Sequence, residues 1–319
     1  MSKDLLELFT ADELTQVPPY VHMVTDRQKL REQLSEYVQA NYKLTSKAEF
    51  TEDAWRWCAI PGTRPQDFLY RLLEVVPDRW IMASIRFRRH NVRKPFVEIV
   101  HKTFPILQRS DLVRVYDRVF DSYKVFKPIN IRLYDPGSGL LSMTREAELE
   151  WDFRYYGATV RDIIQNGSYT NGLSLRLERT SHISFYEEYC NIYKKLATQN
   201  NLYGPEGVWF ETRERLEAAL EERGLFSIII NGHWAGVIAL RRRVEKFLAG
   251  VCIVEIVLRE KFRGRGYGPL VQRAAVTELA LGDNEIVFGH IMDANKPAVN
   301  TALRVGRQPL GGYTFVRLV

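Results

Sequence analysis

The sequence predicts an α/β (α+β) fold of two tandem, related domains, each a central mixed, mostly antiparallel sheet flanked by helices. Three observations predict it. The C-terminal half alternates strand and helix patterns in a regular order. A glycine-rich loop joins a buried strand to a helix within that order. A segment of the N-terminal half repeats the same strand–loop–helix–strand layout at one constant offset. A chain of 319 residues also suits two domains better than one. Its 45% hydrophobic content is enough for two ordinary cores.

The elements of the C-terminal half follow from their periods. Gly172-Leu173-Ser174-Leu175-Arg176-Leu177 alternates with period two, as a strand does. Ser184 to Thr198 carries Phe185, Tyr189, Ile192, Tyr193 and Leu196 at helical spacing, with Ser184 as N-cap and Glu187 as its capping-box partner. A second helix runs from Thr212 to Arg223, with Gly224 as its C-cap. Leu225–Ile230, the Asn231-Gly232 turn and Trp234–Leu240 form a hairpin. Val251 to Leu258 reads as a buried strand, Pro269 to Leu281 as a helix and Glu285 to Ile291 as a strand. Pro297 to Val305 is a short helix, and Tyr313 to Leu318 a final strand. The predicted order is β-α-α-β-β-β-α-β-α-β.

The N-terminal half repeats part of this. Val97-Glu98-Ile99-Val100 matches Val254-Glu255-Ile256-Val257 at an offset of 254 − 97 = 157. The same offset sets Leu112 and Val113 opposite Pro269 and Leu270 at a helix start, and Ile129 and Ile131 opposite Ile286 and Phe288 in a strand. Internal similarity of this kind marks repeated supersecondary units. The first copy has Ile106-Leu107-Gln108-Arg109-Ser110-Asp111 where the second has glycines, so it lacks a phosphate loop. Pro136-Gly137-Ser138-Gly139 reads as a turn, and Thr144 to Ile164 as a helix that closes the copy. The boundary is expected near Asn166-Gly167, giving domains 1–166 and 167–319.

Arg263-Gly264-Arg265-Gly266-Tyr267-Gly268 is the most informative stretch. Glycines turn the backbone tightly and let it approach a ligand. The unpaired N–H groups and positive dipole of the helix that follows then favour an anion such as pyrophosphate. A net charge of +6 agrees with phosphate-bearing or acidic ligands. Arg241-Arg242-Arg243 reads as a solvated face rather than a nucleic-acid patch. Cys58, Cys190 and Cys252 have neither disulfide nor zinc spacing, which fits a reducing compartment. His182, His233 and His290 are isolated, so no metal cluster or nucleophilic triad is readable. The N-terminal residues lack a signal peptide's apolar stretch, and no apolar run reaches the ~18 residues of a membrane span. A cytoplasmic protein without membrane or nucleic-acid partners, monomeric or homodimeric, is expected.

Element order and loop together resemble the GNAT superfamily of acetyl-CoA-dependent N-acetyltransferases, over about residues 168–319. The family's Arg/Gln-x-x-Gly-x-Gly/Ala loop is met by Arg263, Gly266 and Gly268. Its second signature, an Asn, an Ala three residues on and a Gly near a later turn, is met by Asn295, Ala298 and Gly306. The resemblance implies acetyl-CoA as cosubstrate and a small-molecule or peptide amine as acceptor, bound between the halves or over the first two helices of the second. It implies that backbone amides from Gly264 through Arg265, Gly266 and Tyr267 to Gly268 hold the pyrophosphate. The backbone edge of Ile256, Val257 and Leu258 would pair with the pantetheine arm, as would the side chain of Asn295. Arg259, Lys261, Arg263 and Arg265 would meet phosphates as charge-assisted donors.

Direct attack by an amine needs a base to free it and an acid for the leaving thiolate. Glu255 is the candidate base, being the one charged residue in an apolar strand. Two features depart from the family. Ala302 stands where the usual acid is a tyrosine; Tyr267 and Tyr313 are nearby in sequence or architecture but read more readily as core or loop aromatics, and water is the alternative acid. Pro269, expected at the first helical position, removes one N–H. Tyr186, Tyr189, Tyr193, Tyr203 and Trp209 crowd the acceptor region, as pocket or as core. Related transferases move longer acyl groups, or aminoacyl groups from transfer RNA. A non-catalytic acyl-CoA-binding sensor or scaffold is the remaining alternative.

Overall fold

The computed structural model describes residues 3–106, 108–137, 147–166, 174–205 and 207–318, with the backbone alone for 48–50. Ser138 and Gly139 of the expected turn, Gly167 at the expected boundary, and Gly172 and Leu173 of the expected strand lie outside the described residues. The chain forms two compact units. Unit 1 is Met1–Asp152 with Gly311–Val319, and unit 2 is Phe153–Leu310. The division therefore falls at 152/153 rather than 166/167, and the last strand from Gly311 onward belongs to unit 1.

Unit 1 opens with four helices, α1 (Lys3–Thr15), α2 (Pro19–Val24), α3 (Arg27–Lys43) and α4 (Ala48–Cys58). Asp26 caps α3 by accepting the Lys29 N–H at 3.0 Å. Strands β1 (Arg71–Val76), β2 (Arg79–Phe87) and β3 (Pro95–Lys102) pair antiparallel. Helix α5 (Arg109–Ser122) then crosses to β4 (Asn130–Asp135), which is parallel to β3. Leu112, Val115 and Val119 of α5 pack on Val97, Ile99 and Ile131.

Strand β5 (Ala147–Thr159) replaces most of the helix expected over Thr144–Ile164. The sequence explains the correction. Leu149, Trp151, Phe153 and Tyr155 alternate with Glu148, Glu150, Asp152 and Arg154, which is period two. Helix α6 (Val160–Gln165) follows only after Thr159, whose hydroxyl caps it through the Asp162 N–H at 3.1 Å.

Unit 2 continues with β6 (Leu175–Arg179), α7 (Tyr186–Gln199), α8 (Arg213–Glu221), β7 (Leu225–Ile230), β8 (His233–Glu245) and β9 (Leu248–Leu258). Helix α9 (Tyr267–Glu278), β10 (Ile286–Ile291), α10 (Lys296–Arg304) and β11 (Gln308–Leu318), which is in unit 1 from Gly311 onward, complete the predicted order. Strands β6 to β9 pair antiparallel in sequence, β10 is parallel to β9, and β5 is antiparallel to β10. Asn231 (φ 50°) and Gly232 (φ 77°) take the two positive-φ positions of the hairpin turn. Thr212 caps α8 through the Arg215 N–H. Two caps differ: α7 starts after Phe185 without a side-chain cap, and Arg223 (φ 57°) takes the left-handed position beyond α8. Gly224 is needed instead because a Cβ there would lie 2.0 Å from the Leu240 carbonyl oxygen.

The repeated layout exists, but not at the expected register. Both copies carry a β-bulge, between Met82 and Ala83 opposite Val100 in unit 1 and between Ala239 and Leu240 opposite Val254 in unit 2. Aligning the bulges sets His101, not Glu98, against Glu255, an offset of 255 − 101 = 154. An odd offset would exchange the faces of the strand. With the even one, Val97 and Ile99 face α5 as Val251 and Ile253 face α9.

Candidate active site

Strand β9 changes character along its length. From Gly250 to Cys252 it pairs with Ile286 to Phe288 of β10. Beyond Cys252 that pairing stops, while on its other side β9 stays paired to β8 as far as Leu258. The edge of Ile256, Val257 and Leu258 that faces β10 is thus left open, as a slot for an extended ligand requires. The carbonyl of Leu258 is the exception, since it accepts from Arg263 Nε at 2.6 Å. Arg263 therefore fastens the loop to the strand end through Nε, which leaves its terminal guanidinium nitrogens as further donors.

After a 3-10 turn at Glu260–Phe262, Gly264 (φ 71°) and Gly266 (φ 78°) both take left-handed conformations, and Gly266 is the N-cap of α9. A Cβ at either would point into open space, so these glycines are required by backbone conformation. The amides of Gly264, Arg265 and Gly266 meet no acceptor among the described residues. Gly268 serves a different need. A Cβ there would lie 2.7 Å from Thr301 Cγ2, so it lets α9 approach α10. Tyr267 lends the site its backbone only, because its ring is buried against Phe262.

Pro269 is the third residue of α9 rather than the first. It still falls where helix N–H groups lack partners, so the helix tolerates it. Among the flanking cations, Arg259 pairs with Glu188 at 3.2 Å and Lys261 lies over the Phe262 ring, whereas Arg265 is exposed. Asn295 caps α10, its Oδ1 accepting the Ala298 N–H at 3.4 Å. The Asn-x-x-Ala spacing is thereby a helix cap, which leaves the amide nitrogen as donor.

The bulge at Val254 places Glu255 on the face covered by α7. The carboxylate is 6% exposed and accepts from the Tyr189 hydroxyl, and from the Tyr193 hydroxyl at 2.8 and 3.0 Å. Tyr189 in turn accepts the Glu211 N–H at 2.6 Å, which orients its hydroxyl hydrogen toward Glu255. Burial pushes the Glu255 carboxyl up and the two tyrosine hydrogen bonds pull it back, leaving it at about 7. Burial and the Glu255 charge hold both tyrosines well above their ordinary range, so they act as hydrogen-bond donors, not acids.

Sequence reading placed Tyr189 and Tyr193 in the acceptor region without linking them to Glu255. Their i, i+4 spacing on one helix face is the signal that could have done so. Nothing in the sequence pointed to Glu211. Ala302 is fully buried against Tyr156 and Ile291, and Tyr313 lies on β11 in unit 1 beside Tyr134. Ala302 has no proton to give. Among the described residues, no group of three or more His, Cys, Asp or Glu side chains is arranged to hold a metal ion. Nor is any described helix long and apolar enough to cross a membrane.

No family model and no curated protein matches the sequence. Solved structures do. A GCN5-related N-acetyltransferase from Sphaerobacter thermophilus superposes with a TM-score of 0.50 at 16% identity, over 83% of this chain and 84% of that one. A GNAT-family acetyltransferase from Colwellia psychrerythraea gives 0.48 at 10% identity, over 90% and 97%. A tandem GNAT protein from the clavulanic acid biosynthesis pathway gives 0.42 at 13% identity, over 85% and 95%. The chain has the fold of the GCN5-related N-acetyltransferases.

Proposed function

We propose that unit 2 is an N-acetyltransferase that moves an acetyl group from acetyl-CoA to a primary amine. The observation that carries this reading is the opening of β9 from β10 beside a helix start with unengaged loop amides, and Glu255 on the same strand. Acetyl-CoA supplies the activated thioester. The amides of Gly264 to Gly268, apart from Pro269 beyond them, would hold its pyrophosphate, with exposed Arg265 adding charge. The open edge of Ile256 to Leu258 and the Asn295 amide would hold the arm. Glu255, near 7, is suited to take a proton from the incoming ammonium at neutral pH. The acceptor would then approach over α7 and α8, where Tyr186, Tyr203 and Trp209 are only partly buried. Three unpaired, buried cysteines fit a reducing compartment such as the cytoplasm.

The test is an acetyl-CoA turnover screen across polyamines, amino acids, aminoglycosides and peptide N-termini, with CoA affinity measured in parallel by calorimetry. Turnover on one class is expected. Gly266→Glu adds bulk and negative charge at the cradle and is expected to abolish CoA binding. Affinity retained in that variant sinks the cradle, and tight binding with no turnover on any amine sinks the enzyme.

A further inference from the structure

Arg307 is a buried cation without a counter-ion among the described residues. Gly306 leaves α10 in the left-handed conformation (φ 94°), and the Arg307 N–H closes on the Ala302 carbonyl at 2.9 Å. The residue is 3% exposed, and its Nε and Nη1 find no acceptor among the described residues. A Cβ built on Gly289 would lie 3.0 Å from Arg307 Nη1 and 3.1 Å from the Ile253 carbonyl oxygen. The guanidinium therefore sits over Gly289 and beside Ile253, one position past Cys252 and Phe288, where β9 and β10 make their last pairing. That is the vertex of the slot.

The ionisable groups that act on Arg307 are Cys252 and Tyr156. Burial pushes the thiol up to about 12 and raises the phenol, so both are neutral at pH 7. Burial lowers Arg307 to about 10, and it stays charged. An apolar side chain would fill this position at less cost, since an unpaired buried charge is among the most destabilising arrangements a fold carries. Local violations of this kind are expected where a ligand completes the site.

We infer that Arg307 receives a carboxylate at the far end of the donor's acyl group, so that the transferred group is a short dicarboxylic acyl. This rests on the reading of unit 2 as a CoA-dependent N-acyltransferase and revises its donor, leaving acetyl-CoA as a slower substrate. Position selects the ligand. The phosphate cradle begins after Leu258, about 20 Å along the strand from Cys252 at ~3.3 Å per residue. The CoA phosphates are thus too far away, and the pantetheine arm is neutral. Glu255 faces α7 while Ile253 and Gly289 face α9, so an acyl group lying in the slot between β9 and β10 runs from the reacting carbon toward Arg307 through the sheet, and the two-residue spacing of roughly 7 Å along β9 suits about three to five carbons. A planar guanidinium also matches a carboxylate by two parallel hydrogen bonds.

The chemistry balances. The neutral amine nitrogen bonds to the thioester carbonyl carbon as the carbon–sulfur bond breaks. Glu255 holds the proton taken earlier from the ammonium, the second proton, released from nitrogen on attack, passes to the leaving thiolate, and the distal carboxylate passes unchanged into the amide.

The experiment compares kcat/KM of the full chain for malonyl-, succinyl- and glutaryl-CoA with acetyl- and butyryl-CoA, using an acceptor from the amine screen. Calorimetry with S-carboxyalkyl and S-alkyl thioethers of CoA reads binding without turnover. One carboxylated donor is expected to exceed its neutral counterpart by 100-fold or more, and Arg307→Met to bring that ratio near 1. Arg307→Lys should keep part of the preference. Arg307→Met should also melt higher than the unmodified chain without ligand, because it removes an unpaired charge. A preference for neutral donors, or a ratio unchanged in Arg307→Met, overturns the inference. Equal slowing of all donors in that variant does so too, by assigning Arg307 to the thiolate. Failure of every CoA species to bind marks failure of the underlying transferase reading instead.

Discussion

Glu255 is held between two opposing effects whose balance can be measured. Desolvation favours its neutral form, and the Tyr189 and Tyr193 hydroxyls favour its charged form. Removing one donor shifts the balance predictably. In Tyr193→Phe the carboxyl rises further, so the ascending limb of kcat/KM against pH, expected near 7, moves to higher pH. In Glu255→Gln that limb disappears, and turnover falls by about 10²–10⁴-fold with CoA affinity retained. A limb that survives in the Gln variant removes Glu255 from the role of base. The same group contributes to stability with a defined sign. Its folded value, about 7, lies above its ordinary 4.5, so its contribution is present below 4.5 and lost as pH rises through 7. Melting temperature should fall over that window, and less steeply in Glu255→Gln.

At the scale of elements, the glycines of the loop divide between backbone and packing, and the division is testable. Gly268→Ala puts a methyl group 2.7 Å from Thr301 Cγ2, which must force α9 away from α10. Such overpacking costs about 1–3 kcal/mol. Adding Thr301→Ser removes the offending methyl and should recover much of the loss, a coupling that a calorimetric double-mutant cycle reads directly. Strict additivity would show that the two residues do not meet. This contact was not legible in the sequence, which showed three glycines at motif spacing but not which helix would lie against the third. The hairpin at Asn231-Gly232 was legible because its turn chemistry is local. The buried strand before the loop was legible for the same reason. Strand β5 was missed because the aromatic pairs and charges of 147–159 satisfy a helical pattern as well as a strand pattern when the partners are unknown. The repeat was seen at the wrong register because four identical residues outweighed the parity of the strand. Only the paired bulges at Val100 and Val254 reveal that His101 occupies the Glu255 position. There it contacts Glu13 at 2.7 Å in a fully buried pair rather than a row of tyrosines.

At the scale of the whole molecule, chain order and unit membership disagree, and that disagreement governs how the protein can be divided. Strand β11 is last in the sequence, yet Gly312 to Val316 pair antiparallel with Ile131 to Asp135 of β4 in unit 1. Phe315 packs edge-on to Phe96, and Val316 is fully buried in the core under α5. Arg132 lies over the Tyr313 ring at 4.4 Å. Burying a side chain such as Phe or Val is worth about 1.5–3 kcal/mol, so Phe315 and Val316 together rival a large share of a domain's net stability of roughly 5–15 kcal/mol. Deleting residues 311–319 should therefore damage unit 1, at the opposite end of the sequence from the cut. The expected result is loss of the cooperative melting of unit 1 and rapid amide exchange in β4, while α9 and β9 of unit 2 remain protected. A fragment of residues 1–166 should behave in the same way, since it ends without β11. Full protection of β4 in either truncated chain would mean that unit 1 is complete without its C-terminal strand.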